Sequence, residues 1–162
     1  MVNLEINRKG LFAWDFEVLQ NGAPAGRISG SGSRENGTLT IGEHSYAVAP
    51  DNSKLGGFNL DANGDRLARA GKSSFWSGAY QFEYAGKIYV FKHSSVFSSK
   101  YALLENDQEI VSVRPKGIFK RSAVVEFVDH VPTPVALFAG WVALILWKRQ
   151  SDSDAVTAGA GV

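Results

Sequence analysis

The stretch Val135-Ala136-Leu137-Phe138-Ala139-Gly140-Trp141-Val142-Ala143-Leu144-Ile145-Leu146-Trp147 contains no charged side chain and no polar aliphatic one. A helix that is apolar on every side must be surrounded by protein or by lipid. Membrane-spanning helices need about 20 apolar residues, whereas runs of about 10–14 are more often buried core helices. We therefore predict a core helix over 134–148, whose large side chains pack inside the protein: Val135, Leu137, Phe138, Trp141, Leu144, Ile145 and Trp147.

The residues around this helix predict its ends. Thr133 is a suitable N-cap and Pro134 a suitable first helical residue, and the cations at 148–149 suit the negative end of the helix dipole. Gly140 costs about 1 kcal/mol in helix propensity, which close approach of a strand would explain. Residues 151–162 are small and polar, and we predict a disordered tail there.

A membrane span over 131–147, with 1–130 on the cytosolic side, is the alternative interpretation. It would make the protein a tail-anchored membrane protein, a class that includes scramblase-like lipid handling, and the Trp147-Lys148-Arg149 ending resembles an interfacial anchor. The predicted helix is roughly 21 Å long, however, at about 1.5 Å per residue. Strands of six residues, at about 3.3 Å each, build a wall of similar height, so the helix matches the interior of a barrel better than a bilayer.

The rest of the chain has the sequence pattern of β-hairpins. Phe12, Trp14, Phe16 and Val18 alternate with polar residues, which is typical of a half-buried strand with an aromatic inner face. Short units of this kind recur along the chain, separated by turn dipeptides: Asn21-Gly22, Asn36-Gly37, Asn63-Gly64, Ala85-Gly86 and Asn106-Asp107. About a dozen strands before one apolar helix predict a roughly twelve-stranded, closed antiparallel β-barrel that encloses the helix, since closure removes every sheet edge.

The order of these units resembles the tubby C-terminal-like superfamily, which comprises tubby proteins, LURP-one-related proteins and phospholipid scramblases. The resemblance is carried by Phe58-Asn59-Leu60-Asp61-Ala62-Asn63-Gly64-Asp65-Arg66-Leu67-Ala68, followed by Tyr80-Gln81-Phe82, Ile88-Tyr89-Val90-Phe91-Lys92 and the terminal helix. It covers about residues 7–149. It implies one domain over 1–150, a twelve-stranded barrel with a hydrophobic C-terminal helix through its middle.

Composition excludes several classes of function. With 17 basic and 16 acidic residues the net charge is +1, which argues against a nucleic-acid binder. The absence of cysteine excludes thiolate catalysis and cysteine-based zinc sites. The N-terminus has no secretory apolar segment, and we expect a cytoplasmic monomer, in part peripheral to a membrane, with no cofactor.

Two metal-like patterns and several serines have simpler explanations. Asp61, Asn63 and Asp65 have the spacing of a calcium loop, but Arg66 and Lys72 occupy the positions where that loop needs Gly and Glu. A hairpin turn explains this segment. The histidines lack metal-ligand spacing: His44, His93 and His130. No nucleophile-elbow pattern surrounds a serine, so we predict no metal site and no enzyme.

The basic segment around 114–121 is the candidate for function. Its cations surround Phe119, an aromatic that could enter the interface of an anionic membrane, and we predict that they contact anionic headgroups: Arg114, Lys116, Lys120 and Arg121. The alternative is a solvated hairpin whose charges prevent aggregation. In the family that this chain resembles, tubby proteins bind phosphoinositides, but the resemblance assigns no residue here. We predict a non-enzymatic binding module for anionic, phosphoinositide-like membrane surfaces or for a protein partner.

Overall fold

Twelve antiparallel strands and one C-terminal helix form the protein. The structure is a computed structural model that describes residues 1–10, 13–52, 56–72, 78–95, 98–117 and 121–160. In chain order the elements are β1 (Val2–Arg8), β2 (Trp14–Gln20), β3 (Ala23–Ser31), β4 (Asn36–Ile41), β5 (His44–Asp51), β6 (Gly57–Ala62), β7 (Asp65–Lys72), β8 (Tyr80–Tyr84), β9 (Lys87–His93), β10 (Tyr101–Glu105), β11 (Gln108–Lys116), β12 (Ser122–Phe127) and α1 (Thr133–Ala160).

The sheet is a closed barrel in which each strand pairs with its neighbours in the sequence. The first and last strands complete the ring, with Val2 opposite Phe127 and Ile6 opposite Ala123. Because β1 also pairs with β2, both of its sides are hydrogen-bonded and no edge remains for aggregation. The predicted twelve-stranded antiparallel barrel is confirmed.

Most of the predicted turns lie where the sequence placed them. Four hairpins carry two successive residues with positive φ, as type I′ turns require: Asn21-Gly22, Asn63-Gly64, Ala85-Gly86 and Asn106-Asp107. Inward-facing Trp14, Phe16 and Val18 are buried on β2 as predicted, and Phe12 lies outside the described residues. The alternating pattern therefore located the inner face of the barrel correctly.

The prediction of a turn at Asn36-Gly37 was wrong. Both residues belong to β4, and the positive φ lies one residue earlier, at Glu35. Gly37 pairs with Gly30 of β3, and a Cβ atom on Gly30 would lie only 2.7 Å from the Gly37 Cα. Glycine is needed at these positions because the backbones of β3 and β4 approach closely. A turn is not the reason.

The helix lies inside the barrel. Every residue from 135 to 145 is buried, and ring contacts reach several strands: Trp141 packs edge-on against Phe58 of β6 at 5.0 Å, and Phe138 contacts Phe82 of β8 at 5.4 Å. On another side Gly140 faces Ile6 of β1 and Val125 of β12. The strands thus take the place of lipid around the apolar segment. Within the described residues, no helix combines the length and the apolarity that crossing a membrane requires.

Both predicted helix ends need correction. The Ala136 N–H donates to the Pro132 carbonyl at 3.1 Å, so Pro132 occupies the N-cap position that we predicted for Thr133. At the other end α1 continues to Ala160 instead of stopping at Lys148, so residues 151–160 are helical where we predicted a disordered tail. Extending an existing helix needs no new nucleation, and the Lys148–Asp152 ion pair at 2.6 Å supports the added turn.

Candidate functional site

The direction of the helix distinguishes the two ends of the barrel. Pro132 and Pro134 line a groove with His44, the first residue of β5, at the end where α1 begins. At the opposite end the Trp147 indole N–H donates to the Ser99 carbonyl of the β9–β10 loop at 2.9 Å. We call these the entry end and the exit end. Since neighbouring strands are antiparallel, odd-numbered strands finish at the exit end and even-numbered strands begin there.

Charge is segregated between these two ends. Most described cations lie at the exit end: Arg8, Lys9, Arg34, Lys72, Lys92, Arg114, Lys116, Arg121, Lys148 and Arg149. The entry end carries most of the carboxylates: Glu43, Asp61, Asp65, Glu83, Glu105, Asp107, Glu109, Glu126 and Asp129. A chain with a net charge of +1 is therefore strongly polarised along the barrel axis. The helix dipole favours anions at the entry end, where α1 begins.

The carboxylates at the exit end are mostly paired already. The ion pairs are Asp15 with Arg27, Glu35 with Arg149, Asp51 with Arg69, and Asp152 with Lys148. The Glu35–Arg149 pair is bidentate, with Arg149 Nε 2.6 Å and Nη2 2.9 Å from the two Glu35 oxygens. The Arg149 guanidinium also lies over the Phe58 ring, 4.8 Å from its centroid. This pair fastens the helix to the β3–β4 loop, and its charge is neutralised internally.

Arg8 is a partly buried cation of this end. Its Nε donates to the Ala13 carbonyl at 3.0 Å, and its guanidinium lies 5.1 Å from the Trp14 ring and 5.9 Å from that of Phe16. Among the residues that the structure describes, no carboxylate pairs with it. Burial and, to a smaller extent, the nearby charge of Arg121 lower the pKa of Arg8 below its ordinary value. An anion beside this guanidinium would relieve both effects.

Two open grooves meet at these residues. The larger, of about 590 Å³, is lined by Arg8, Trp14 and Lys148 together with the 29–33 segment of β3 and its loop. The smaller, of about 170 Å³, adds Arg121 and the helix residues 151–152. Gly32 separates Trp14 from Lys148: an added Cβ would lie 2.9 Å from the indole and 3.2 Å from the lysine Cε. Glycine thus allows the loop to pack closely and leaves the groove open.

The predicted headgroup residues only partly coincide with this site. Arg121 contributes to the smaller groove, and Arg114 is exposed on β11. Lys116 instead bonds Glu5 and Asn7 at 3.0 Å each, and its hydrogen bond is the main reason that the pKa of Glu5 is lowered. Lys120, like Ile118 and Phe119, lies outside the described residues. The structure therefore brings Arg121 to the site and leaves Lys116 with internal partners.

Sequence reasoning missed three residues of the site. Arg8 ends the first strand, Trp14 was assigned to the barrel interior, and Lys148 was assigned to the helix end. They meet because β1, β2 and α1 all finish or begin at the exit end. A weak signal existed: Arg8 and Lys9 follow an alternating strand and precede an aromatic strand, which places two cations at a barrel rim. Nothing in the sequence places Lys148 beside them.

The metal-like patterns do not form metal sites among the described residues, where no group of at least three candidate ligands converges. Asp61 bonds Arg66 at 2.6 Å, and the adjacent turn is the predicted hairpin. His93 stacks on Tyr101 at 4.1 Å at the exit end. His130 lies at the entry end, 3.2 Å from a Glu105 oxygen.

The protein is a closed barrel that encloses one helix and carries most of its described cations at the exit end. Comparison of the chain with protein-family models, with curated proteins and with solved structures gave no match. The resemblance to the tubby C-terminal-like superfamily therefore stays a prediction from the sequence.

Proposed function

We propose that this protein is a non-enzymatic binding module that docks its exit end on membrane surfaces containing anionic phospholipid. One observation carries the proposal: the cations of a nearly neutral chain are concentrated at one end of the barrel and the carboxylates at the other. The electric field of a negatively charged surface orients such a molecule before the molecule reaches that surface. Cations near an anionic leaflet contribute about 1 kcal/mol each, so several together support reversible docking.

The geometry of the barrel favours its rim as the contact surface. The interior is filled by the side chains of α1, among which Phe138 and Trp141 are fully buried. A ligand must therefore bind on the outside of the barrel. At the exit end the cations stand on strand ends and loops. The family resemblance agrees with this proposal, since tubby proteins bind phosphoinositides.

Vesicle co-sedimentation tests the proposal. The variant Arg114→Gln/Arg121→Gln removes two exit-end charges, and we expect it to lose most of the binding that the wild type shows to vesicles containing anionic lipid. The matched control Arg66→Gln/Lys87→Gln removes two charges of the entry end and should bind like the wild type. Raising the salt concentration should weaken wild-type binding, because exposed charges are screened within about 8 Å at physiological ionic strength.

Equal losses in the two variants would mean that overall charge, and not the exit end, determines binding. Binding to neutral vesicles that is insensitive to salt would instead favour the membrane-anchor alternative. That alternative requires α1 to leave the barrel, which would expose Phe138 and Trp141 along with the inner faces of the strands.

A protein partner is the second candidate function, and one feature of the outer wall favours it. Ile88 and Val90 of β9 point outward and are 64% and 38% exposed. Leu104 of β10 lies opposite Val90 and is half-buried. Because the barrel is closed, a partner would have to bind through side chains and not by adding a strand. Replacing Ile88 and Val90 with threonine should abolish such an interaction and leave vesicle binding unchanged.

A further inference from the structure

We propose that a groove at the entry end of the barrel binds a basic segment of a partner protein, in which lysines or arginines flank one large apolar side chain. The inference goes beyond the proposed function and does not rest on it, since the groove lies at the end opposite to the one that docks on a membrane. A chain docked through its exit end turns this groove away from the membrane. Membrane binding and partner binding are therefore compatible.

The groove lies between two hairpin turns and the first residues of α1. Ala47 of β5 pairs with Asp61 of β6, so the turn before β5 and the turn after β6 are neighbours. The groove has a volume of about 420 Å³, and most of its wall is apolar or aromatic: Tyr46, Ala62, Leu67, Pro132 and Pro134. Volume and lining are those of a binding site, for which the mouth of a barrel is a common place.

The floor of the groove suits one large apolar side chain. Tyr46 and Leu67 pack against the core but are only half-buried, so part of each side chain is open to a ligand. Pro132 and Pro134 hold the opposite wall rigid, because the proline ring fixes the backbone. An aromatic or branched side chain of a partner covers these surfaces and removes them from water.

The charge around the groove selects a cationic partner. Glu43 lines the groove, and Asp65 begins β7 directly after the neighbouring turn. Among the described residues neither carboxylate has a side-chain partner. The adjacent cation Arg66 lies 2.6 Å from Asp61 and is neutralised by that pair. The two carboxylates are therefore available to lysines or arginines that flank the apolar anchor.

The start of α1 offers no strong anion site that would favour the opposite charge. The N–H groups of Val135 and Ala136 both donate to the Pro132 carbonyl, at 3.0 and 3.1 Å, and Pro134 has no N–H. Most of the donors that make a helix N-terminus attractive to anions are thus engaged within the chain or missing. A cationic segment is favoured over an anionic ligand.

Nuclear magnetic resonance titration of the full chain with synthetic peptides tests the groove. We expect the peptide Lys-Lys-Phe-Lys-Lys, near pH 7.5 where free imidazole is mostly neutral, to shift the backbone amide signals of residues 43–46, 62, 63 and 67 in a saturable way. The peptide Lys-Lys-Ala-Lys-Lys keeps the charge but lacks the anchor, and it should bind about fivefold more weakly or less. The peptide Glu-Glu-Phe-Glu-Glu should not bind.

Two charge variants locate the bound peptide. Glu43→Gln/Asp65→Asn removes the carboxylates at the groove and should weaken the affinity for Lys-Lys-Phe-Lys-Lys by about fivefold or more. The matched control Asp107→Asn/Glu126→Gln removes two other carboxylates of the entry end, which do not line this groove, and should bind like the wild type. None of the four carboxylates is buried, so we expect both variants to fold, which circular dichroism checks.

Equal losses in the two variants would show that the charge of the whole entry end attracts the peptide, and would overturn the site. Equal affinities for the phenylalanine and alanine peptides, or shifts that rise linearly or centre on other residues, would do the same. Saturable peptide binding without vesicle binding would support the groove and reject the docking function. Vesicle binding without a saturable peptide site would do the reverse.

Discussion

At Gly140 the helix lies close against the barrel wall. A Cβ atom there would lie 2.6 Å from Ile6 Cδ1 and 2.9 Å from Val125 Cγ2. Alanine improves helix propensity by about 1 kcal/mol, but overpacking a filled core costs about 1–3 kcal/mol. We expect Gly140→Ala to lower the free energy of unfolding by up to about 2 kcal/mol, measured by urea denaturation.

A double-mutant cycle isolates the steric cause. Ile6→Val alone removes a buried methyl group and should cost about 0.5–1.5 kcal/mol. In the Gly140→Ala background the same change should cost less or restore stability, because it removes the atom that the new Cβ meets. Strictly additive effects of the two changes would show that Ile6 is not what restricts this position to glycine.

Tyr101 makes stability depend on pH in the alkaline range. Its burial raises its pKa to about 12, whereas tyrosine in an unfolded chain ionises near 10. Between these values the unfolded state has lost the proton that the folded state keeps, so stability is full below about pH 10 and falls as the pH rises toward 12. We expect Tyr101 to contribute a loss on the order of 2 kcal/mol across this window. Urea unfolding at pH 8 and pH 11.5 should show a smaller decline for Tyr101→Phe, and equal declines would refute this assignment.

At the scale of elements, α1 consists of a buried part on which stability depends and an exposed part that contributes little to it. A chain ending at Thr133 loses the side chains that fill the barrel. Each large one contributes about 1.5–3 kcal/mol, which in sum exceeds the 5–15 kcal/mol of a whole domain. We expect this chain to be unfolded by circular dichroism.

A chain ending at Gln150 is the matched control. It keeps Trp147 and the bidentate Arg149–Glu35 pair and removes only the extension whose described side chains are exposed. Its stability should be within about 0.5 kcal/mol of the full chain, as for other surface changes. A folded, soluble chain ending at Thr133 would contradict the core role of α1 and would favour the anchor alternative.

At the scale of the whole molecule, closing the barrel depends on its first and last strands, β1 and β12, meeting. Val2 pairs with Phe127, so the ring cannot close before nearly the entire chain is available. The other strand pairings join consecutive strands, so this one non-local pairing is the closing step, and all-β barrels fold in milliseconds to seconds. We expect refolding in this range by stopped-flow tryptophan fluorescence. A microsecond phase that accounts for the full amplitude would contradict closure as the limiting step.

The sequence alone determined the architecture, because architecture follows from periodicity. Alternating residues such as Trp14 and Phe16, glycine turns and one apolar helix without a polar face leave few ways to bury their surfaces, and a closed barrel satisfies all of them. It did not determine the Gly30–Gly37 contact or the end of α1, since these depend on backbone distances and on side-chain pairs across elements.

Only the tertiary structure decided where the charges meet. The nearly equal numbers of basic and acidic residues conceal two oppositely charged ends, because strand direction, and not sequence position, determines which end a residue occupies. Arg8, Arg121 and Lys148 are far apart in the chain and lie around one groove, whereas Lys116, within the predicted basic segment, is held by Glu5. Charge acts through space, so its pattern becomes visible only when the barrel is closed.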